Sequence, residues 1–286
     1  MRTAEIGSET NLARSDDPNS IAPGLRTPFR LSRVRLLRTG RQIGGVLAAI
    51  GIWEVVSVSG VVTNQALASV SDTANAIGVH AGSLLTAAGA TLEAWAVGLA
   101  IAALAGITLG TMVGRSRIAE ASTEILVRMM RPLPSLALIP IAILAAGLGL
   151  EMTAGLVAFT SFWPIFINTR YGVLQVDNLL IETGRTLDLR GASLLVRVIL
   201  PSAAPLIASG IQVAFSLALV VTVSVELVGG TGGIGSFVLQ AQQANAVSSM
   251  YAGIVAGGTL GWLLNVGYSG ISSRLLPWAN RRELQS

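Results

Sequence analysis

Arginine is confined to four segments of this 286-residue chain, and the stretches between them are long and apolar. Arg falls within 2–41, 115–131, 170–197 and 274–282. It is absent from 42–114, 132–169 and 198–273, and the chain has no Lys anywhere. A helix needs roughly 20 apolar residues to cross about 30 Å of hydrocarbon, and cytoplasmic loops collect basic residues. Six spans, near 43–62, 94–113, 132–150, 152–169, 201–228 and 250–272, place every Arg-bearing segment on one side. Five or seven spans divide them. The sequence therefore predicts an all-α membrane protein with six spans, both termini cytoplasmic, and Arg-free outer loops near 63–93 and 229–249.

Composition agrees. Only 12% of residues are charged, about half the usual share for a soluble domain. The absence of Cys excludes disulfides and thiolate metal sites. Without Lys no phosphate-binding Gly-x-x-x-x-Gly-Lys loop can form, so any nucleotide hydrolysis must be supplied from elsewhere. His80 is the only histidine; it is expected to be a solvated loop residue, and no metal site is expected. The first forty residues are polar and rich in Arg, with no short apolar signal core. Residues 1–41 read as a disordered Arg-rich tail that anchors the first span, 42–275 as the transmembrane domain, and 276–286 as a cytoplasmic tail. In the second span, Gly98, Gly106, Gly110 and Gly114 are placed to form a helix-packing seam.

The connector between spans four and five is long for a loop and is not low in complexity. Leu179, Leu180, Thr183 and Leu187 recur near helical spacing, interleaved with Arg185, Arg190 and Arg197. An amphipathic helix outside the bilayer needs a groove on a partner or a membrane surface for its apolar stripe. Pro201 follows at the expected start of span five, where a missing N–H costs little. A joint there would pass motion of the connector into the span.

Interrupted helices mark pathways, because freed backbone groups must face protein or water. Pro134 and Pro140 in span three and Pro164 in span four are such interruptions. Thr160, Ser161, Thr222 and Ser224 supply hydroxyls that could line the same route. Glu54 and Glu226 fall inside spans, where carboxylates are costly and functional by default, yet no span holds an Arg to pair with them. Glu226 lies beside the outer Gly-rich turn at 229–235, placed to shape an external gate, to contact a docked protein or to face a solvated vestibule.

The connector resembles the EAA loop of permeases of ATP-binding-cassette importers: Glu-Ala-Ala, three residues, Gly, nine residues, Ile-x-Leu-Pro. Glu182, Val198, Leu200 and Pro201 fall at the matching offsets; Thr183 and Gly184 replace the two Ala, and Asp188 replaces the Gly, with Gly191 three residues on. Arg131-Pro132-Leu133-Pro134 and Ala137-Leu138-Ile139-Pro140 resemble the third span of the nitrate/sulfonate/taurine branch. Phe162-Trp163-Pro164-Ile165-Phe166-Ile167-Asn168-Thr169 resembles its fourth span, and Val225-Glu226 with Gly232-Gly233-Ile234-Gly235 the exit from its fifth. Ala94 stands where that branch often has Arg. The resemblance implies a type I importer permease fold, with a cytoplasmic coupling helix within 182–195 that docks on a separate ATPase. It further implies a homodimer in the bacterial inner membrane, two ATPase subunits that bind the ATP and Mg, an extracytoplasmic solute-binding protein, and no nucleic-acid partner. No cofactor is expected on this chain, which is not itself an enzyme. The implied cargo is a small anion such as a sulfonate, taurine or nitrate. An ion-coupled secondary transporter would also account for the spans, but not for the motif at 182–201.

Overall fold

The structure is a computed structural model describing residues 30–59, 66–130 and 135–275; the side chains of 30–43, of part of residues 117–130 and of Leu275 lie outside that description. The tail at 1–29, Pro132, Pro134 and the C-terminal tail at 276–286 therefore lie outside the described residues. Helix α1 runs Arg30–Val58, α2 Val70–Val79, α3 Ala81–Gly114 and α4 Arg117–Met130. A 3-10 turn at Ser135–Leu138 leads into α5, Ile139–Ala146, followed by α6, Leu150–Leu174. Next come α7, Asn178–Thr186; α8, Gly191–Leu194; a π-helical turn, Leu195–Ile199; and α9, Leu200–Gly229. Helices α10, Gly233–Gln243, and α11, Val247–Leu275, complete the order. All regular structure among the described residues is helical.

The chain divides into two compact units at Ile52/Trp53. The first contains the N-terminal part of α1. Residues 30–41, expected to belong to the disordered tail, are helical: Arg and Leu are strong helix formers, and Pro28 is the last proline before the segment. The second unit holds the rest.

Four helical stretches are long and apolar enough to cross a membrane: Ala81–Gly114, Leu150–Leu174, Gly191–Gly229 and Val247–Arg274. Gly44–Val58 and Ser135–Ala146 are shorter apolar helices. The expected third span is thus broken. Twelve residues from Ser135 rise only about 18 Å at α-helical pitch. Pro140 sits in the first turn of α5, where it needs no N–H partner. The second span begins at Ala81 rather than near 94, and the expected outer loops are largely helical, holding α2 and α10.

Helices α3 and α6 meet along a seam of small residues. Ala94, Gly98, Ala102, Gly106, Gly110 and Gly114 recur every four residues and are all buried. Residues four apart share a helix face. A Cβ added at Gly98 would lie 2.6 Å from the Val157 side chain; one at Gly110 would lie 2.8 Å from the Phe166 carbonyl oxygen. Two backbones can approach this closely only over glycine. The predicted seam is therefore real, and Ala94 extends it by one turn. Between α6 and α9, Met152, Leu156, Val157, Ala218, Val221 and Val225 form a buried apolar cluster, together with Ile139. Trp95 locks α3 to α9 by donating from its indole N–H to the Phe215 carbonyl at 3.2 Å.

Candidate functional site

The α6–α9 connector folds as a helical hairpin. Asp177 caps α7 by accepting from the Leu179 N–H at 2.9 Å, satisfying an otherwise orphaned donor. The helix ends in a paired turn: the Leu189 N–H donates to the Gly184 carbonyl and the Asp188 N–H to the Arg185 carbonyl, both at 3.0 Å. This is the Schellman arrangement, whose pivot residue adopts a left-handed backbone and is usually glycine. The pivot is Asp188, at φ 60°. Asp accepts this conformation more readily than most residues. Gly191 is also left-handed, at φ 55°, so the chain turns at both positions. Arg190 and Asp188 pair at 3.2 Å but are both highly exposed, so this bridge adds little. Ser193 closes the start of α8, accepting from the Arg190 N–H at 3.0 Å and donating to its carbonyl at 2.8 Å.

Gly184 is buried where α7 crosses the returning limb of the hairpin, α8 and the π turn. A Cβ there would come within 2.7 Å of Leu194 Cδ1 and 3.3 Å of Val198 Cγ2. Beside this crossing lies a groove of about 600 Å³, lined by Leu180, Thr183, Gly184, Leu187, Leu189, Arg197, Val198, Pro201, Ser202 and Pro205. The structure thus brings Thr183, Gly184, Val198 and Pro201 together. Glu182, Asp188 and Gly191 are exposed away from the groove lining, and Leu200 packs on the apolar cluster around Val173 and Ala203. Leu187 is 71% exposed and Leu179 67%: nothing among the described residues covers the apolar stripe.

Pro201 stands in the first turn of α9, as expected, but that turn does not start a separate helix. The helical path is continuous from Gly191 to Gly229, and the Leu200 N–H donates to the Leu195 carbonyl, five residues back. Proline lacks the N–H that would close a regular turn onto Arg197. The chain accommodates this with a π turn immediately before it. The expected joint at Pro201 is therefore a widened turn inside one long helix.

At the other end of α9, Glu226 is 2% exposed, which corrects the solvated-vestibule reading. One carboxylate oxygen accepts from Thr91 Oγ1 at 3.0 Å and from the Gly235 N–H at 2.9 Å. Thr91 Oγ1 in turn accepts from the Ile234 N–H at 2.9 Å, and Ser236 Oγ donates to the Glu226 carbonyl at 3.2 Å. Glu226 thus caps the N-terminus of α10 and ties it to α3. Glu54 does the same for α2, accepting from the Val70 N–H at 2.6 Å. Neither carboxylate needed an Arg, because helix N-termini carry unpaired donors and partial positive charge.

The remaining pathway candidates separate. Thr160 and Pro164 line a cavity of about 410 Å³ with Ser135, Phe159, Trp163, Ile167, Asn168, Val213 and Leu217. Proline leaves the Thr160 carbonyl without its usual partner, and Asn168 Nδ2 donates to the Pro164 carbonyl at 2.8 Å. Ser161 and Thr222 are fully buried elsewhere. The Ser224 hydroxyl donates to the Val220 carbonyl at 2.7 Å, and Pro140 is exposed. His80 is no free loop residue: its Nε2 lies 3.2 Å from Ser249 Oγ, and its ring meets Phe237 edge-on. The sequence reading missed Thr91, whose only signal was its place one turn before the small-residue seam. It also passed over Trp163 and Asn168, which line the cavity with Thr160 and Pro164.

The fold is thus a bundle of long apolar helices with a helical hairpin between two of them. The chain belongs to the family of binding-protein-dependent transport system inner membrane components, whose model matches residues 102–281. It is 32% identical over 188 residues to the nitrate import permease protein NrtB of Leptolyngbya laminosa, covering 66% of this chain and 67% of that protein. It is 33% identical over 193 residues to the bicarbonate transport system permease protein CmpB of Synechococcus elongatus, covering 67% and 66%. Among solved structures, an inward-facing MetNI methionine ABC transporter superposes with a TM-score of 0.59 at 18% identity, covering 67% of this chain and 95% of that one. This last likeness concerns the fold.

Proposed function

We propose that this chain is the membrane-spanning permease subunit of an ATP-driven importer for a small anion of the nitrate, sulfonate or bicarbonate kind. In this reading a separate pair of ATPase subunits supplies the hydrolysis, and an extracytoplasmic solute-binding protein delivers the cargo. The permease acts as a homodimer in the bacterial inner membrane, crossing it six times with both termini inside. Gly44–Val58 and Ser135–Ala146 supply the two shorter crossings, and the Arg distribution supports this topology. Relatives that import nitrate and bicarbonate support the choice of cargo.

The observation that carries the reading is the hairpin 178–199, with its groove and its exposed Leu179 and Leu187. An apolar stripe outside the bilayer calls for a protein groove, and the ATPase provides it. Because the helix is continuous from Gly191 to Gly229, displacement of the hairpin moves α9 directly. At its far end α9 holds Glu226, which ties it to α3 and α10. One rigid element therefore links the ATPase side to the outer side. The cavity containing Thr160, Trp163 and Pro164 is the candidate path.

Proteoliposomes holding this chain with its ATPase and binding protein should take up nitrate, an alkanesulfonate or bicarbonate only when ATP is present. Uptake driven by an ion gradient in vesicles lacking the ATPase would favour a secondary transporter instead.

A further inference from the structure

Arg170 is a buried cation with no counter-charge among the described residues. It is 5% exposed, makes no ion pair there, and its Nε has no hydrogen-bond partner. Its guanidinium carbon lies 5.0 Å from the centroid of the Tyr171 ring. An uncompensated buried charge is strongly destabilising. The carboxylates of the long helices cannot answer it: Glu151 lies nineteen residues away on the same helix, about 28 Å, Glu93 lies eighteen residues before Thr111 on α3, about 27 Å, and Glu226 is engaged at the opposite end of α9.

Two further polar groups are left open, one on the neighbouring Thr169 and one on Thr111 of α3. Thr111 Oγ1 and Thr169 Oγ1 are buried without partners. Helical threonines elsewhere in the chain, such as Thr153, Thr160, Thr183 and Thr222, donate their hydroxyls to the carbonyl four residues back. Thr111 and Thr169 do not. Gly110 brings α3 against the Thr169 side chain, and Gly114 brings it against the Arg170 carbonyl. All three open groups thus belong to one level of the α3–α6 crossing. That level lies about 30 Å along α6 from Leu150, at the depth of a membrane boundary.

We infer that Arg170, Thr169 and Thr111 form a binding site for a small oxyanion at this boundary. A guanidinium offers a planar fork of donors matched to oxyanions, two hydroxyls add donors, and no acid among the described side chains pairs with Arg170. The same chemistry is offered by a free anion such as nitrate or a sulfonate and by the phosphate of an anionic lipid. The free-anion source rests on the transport reading above; the site itself does not.

The test uses the full-length chain in phosphatidylcholine nanodiscs, reading its thermal unfolding midpoint. One arm titrates nitrate or methanesulfonate against chloride at constant ionic strength; the other replaces part of the lipid with phosphatidylglycerol. Wild type should show saturable stabilisation in at least one arm. The apparent affinity should fall at least tenfold in Arg170→Gln and severalfold in Thr169→Val, with Arg170→Lys between. A response to free anions assigns the site to cargo-like anions; a response to phosphatidylglycerol alone assigns it to lipid. Equal responses of wild type and Arg170→Gln in both arms overturn the site. So does a wild type that responds to neither while a Glu120→Gln/Glu124→Gln variant of α4 does, since Arg170 would then be held by protein carboxylates. If Arg170→Gln does not fold, Thr169→Val decides, and a wild-type response there overturns the site. Failure of ATP-driven uptake alongside intact anion binding would remove the importer reading and leave the site standing.

Discussion

Thr91 Oγ1 donates to the Glu226 carboxylate at 3.0 Å and accepts from the Ile234 N–H at 2.9 Å, so one hydroxyl joins α3, α9 and α10. Both residues are buried, Thr91 completely and Glu226 at 2% exposure. Thr91→Val keeps the shape and removes both bonds. Stranding buried polar groups costs about 1–3 kcal/mol each, so the variant should unfold at a clearly lower temperature in detergent, whereas Thr91→Ser should stay near wild type. Equal midpoints for all three would mean that this knot does not hold the outer end together.

The α3–α6 seam makes a positional prediction. Gly110→Ala places a methyl 2.8 Å from a backbone oxygen that cannot rotate away. Overpacking of this kind costs about 1–3 kcal/mol. Gly89→Ala, on the same helix, meets nothing within 4 Å and should be neutral or slightly stabilising. Size-exclusion profiles after heating should separate the two, Gly110→Ala losing monodisperse protein first.

Asp188 pivots the hairpin at φ 60°. Glycine is the preferred residue there, so Asp188→Gly should preserve ATPase binding. A β-branched side chain is penalised by about 1–2 kcal/mol in a left-handed backbone, and Asp188→Val should weaken binding. Affinity of the purified permease for the ATPase subunit, measured for the three forms, checks the order.

A π turn precedes Pro201 in the helix that joins hairpin to span, and Pro205 interrupts the hydrogen bonding one turn further on. Inserting Gly-Ser-Gly between Leu195 and Pro201 should break the mechanical link while leaving the hairpin able to dock. The assembled complex should then hydrolyse ATP but transport little. Preserved uptake per ATP would show that α9 is not the lever.

The four long spans, the glycine seam and the hairpin were legible because each rests on a local pattern: hydropathy, a four-residue repeat, or a motif at fixed spacing. The partners of Glu54 and Glu226 were not. Both carboxylates bond backbone N–H groups of helices that the hydropathy pattern hides as outer loops, and the search for an Arg looked for the wrong donor. The broken third span was marked by Pro140, but its shortness was not. Pro201 illustrates a different limit: a proline in a first turn and one behind a π turn read alike in sequence. Of the expected path, Thr160 and Pro164 share a cavity, while Ser161, Thr222 and Ser224 point to other surroundings that residue type alone does not reveal.

The most direct test of the importer account is co-purification of the permease with its candidate ATPase subunit in mild detergent, comparing wild type with a Glu182→Arg/Gly191→Pro double variant. Both positions are exposed on the hairpin, and Gly191 carries a left-handed backbone that proline cannot adopt. The account predicts a stable complex with wild type that is lost in the variant while the variant permease remains folded. A variant that binds the ATPase as well as wild type, or a wild type that binds no ATPase while catalysing ion-driven uptake alone, would contradict it.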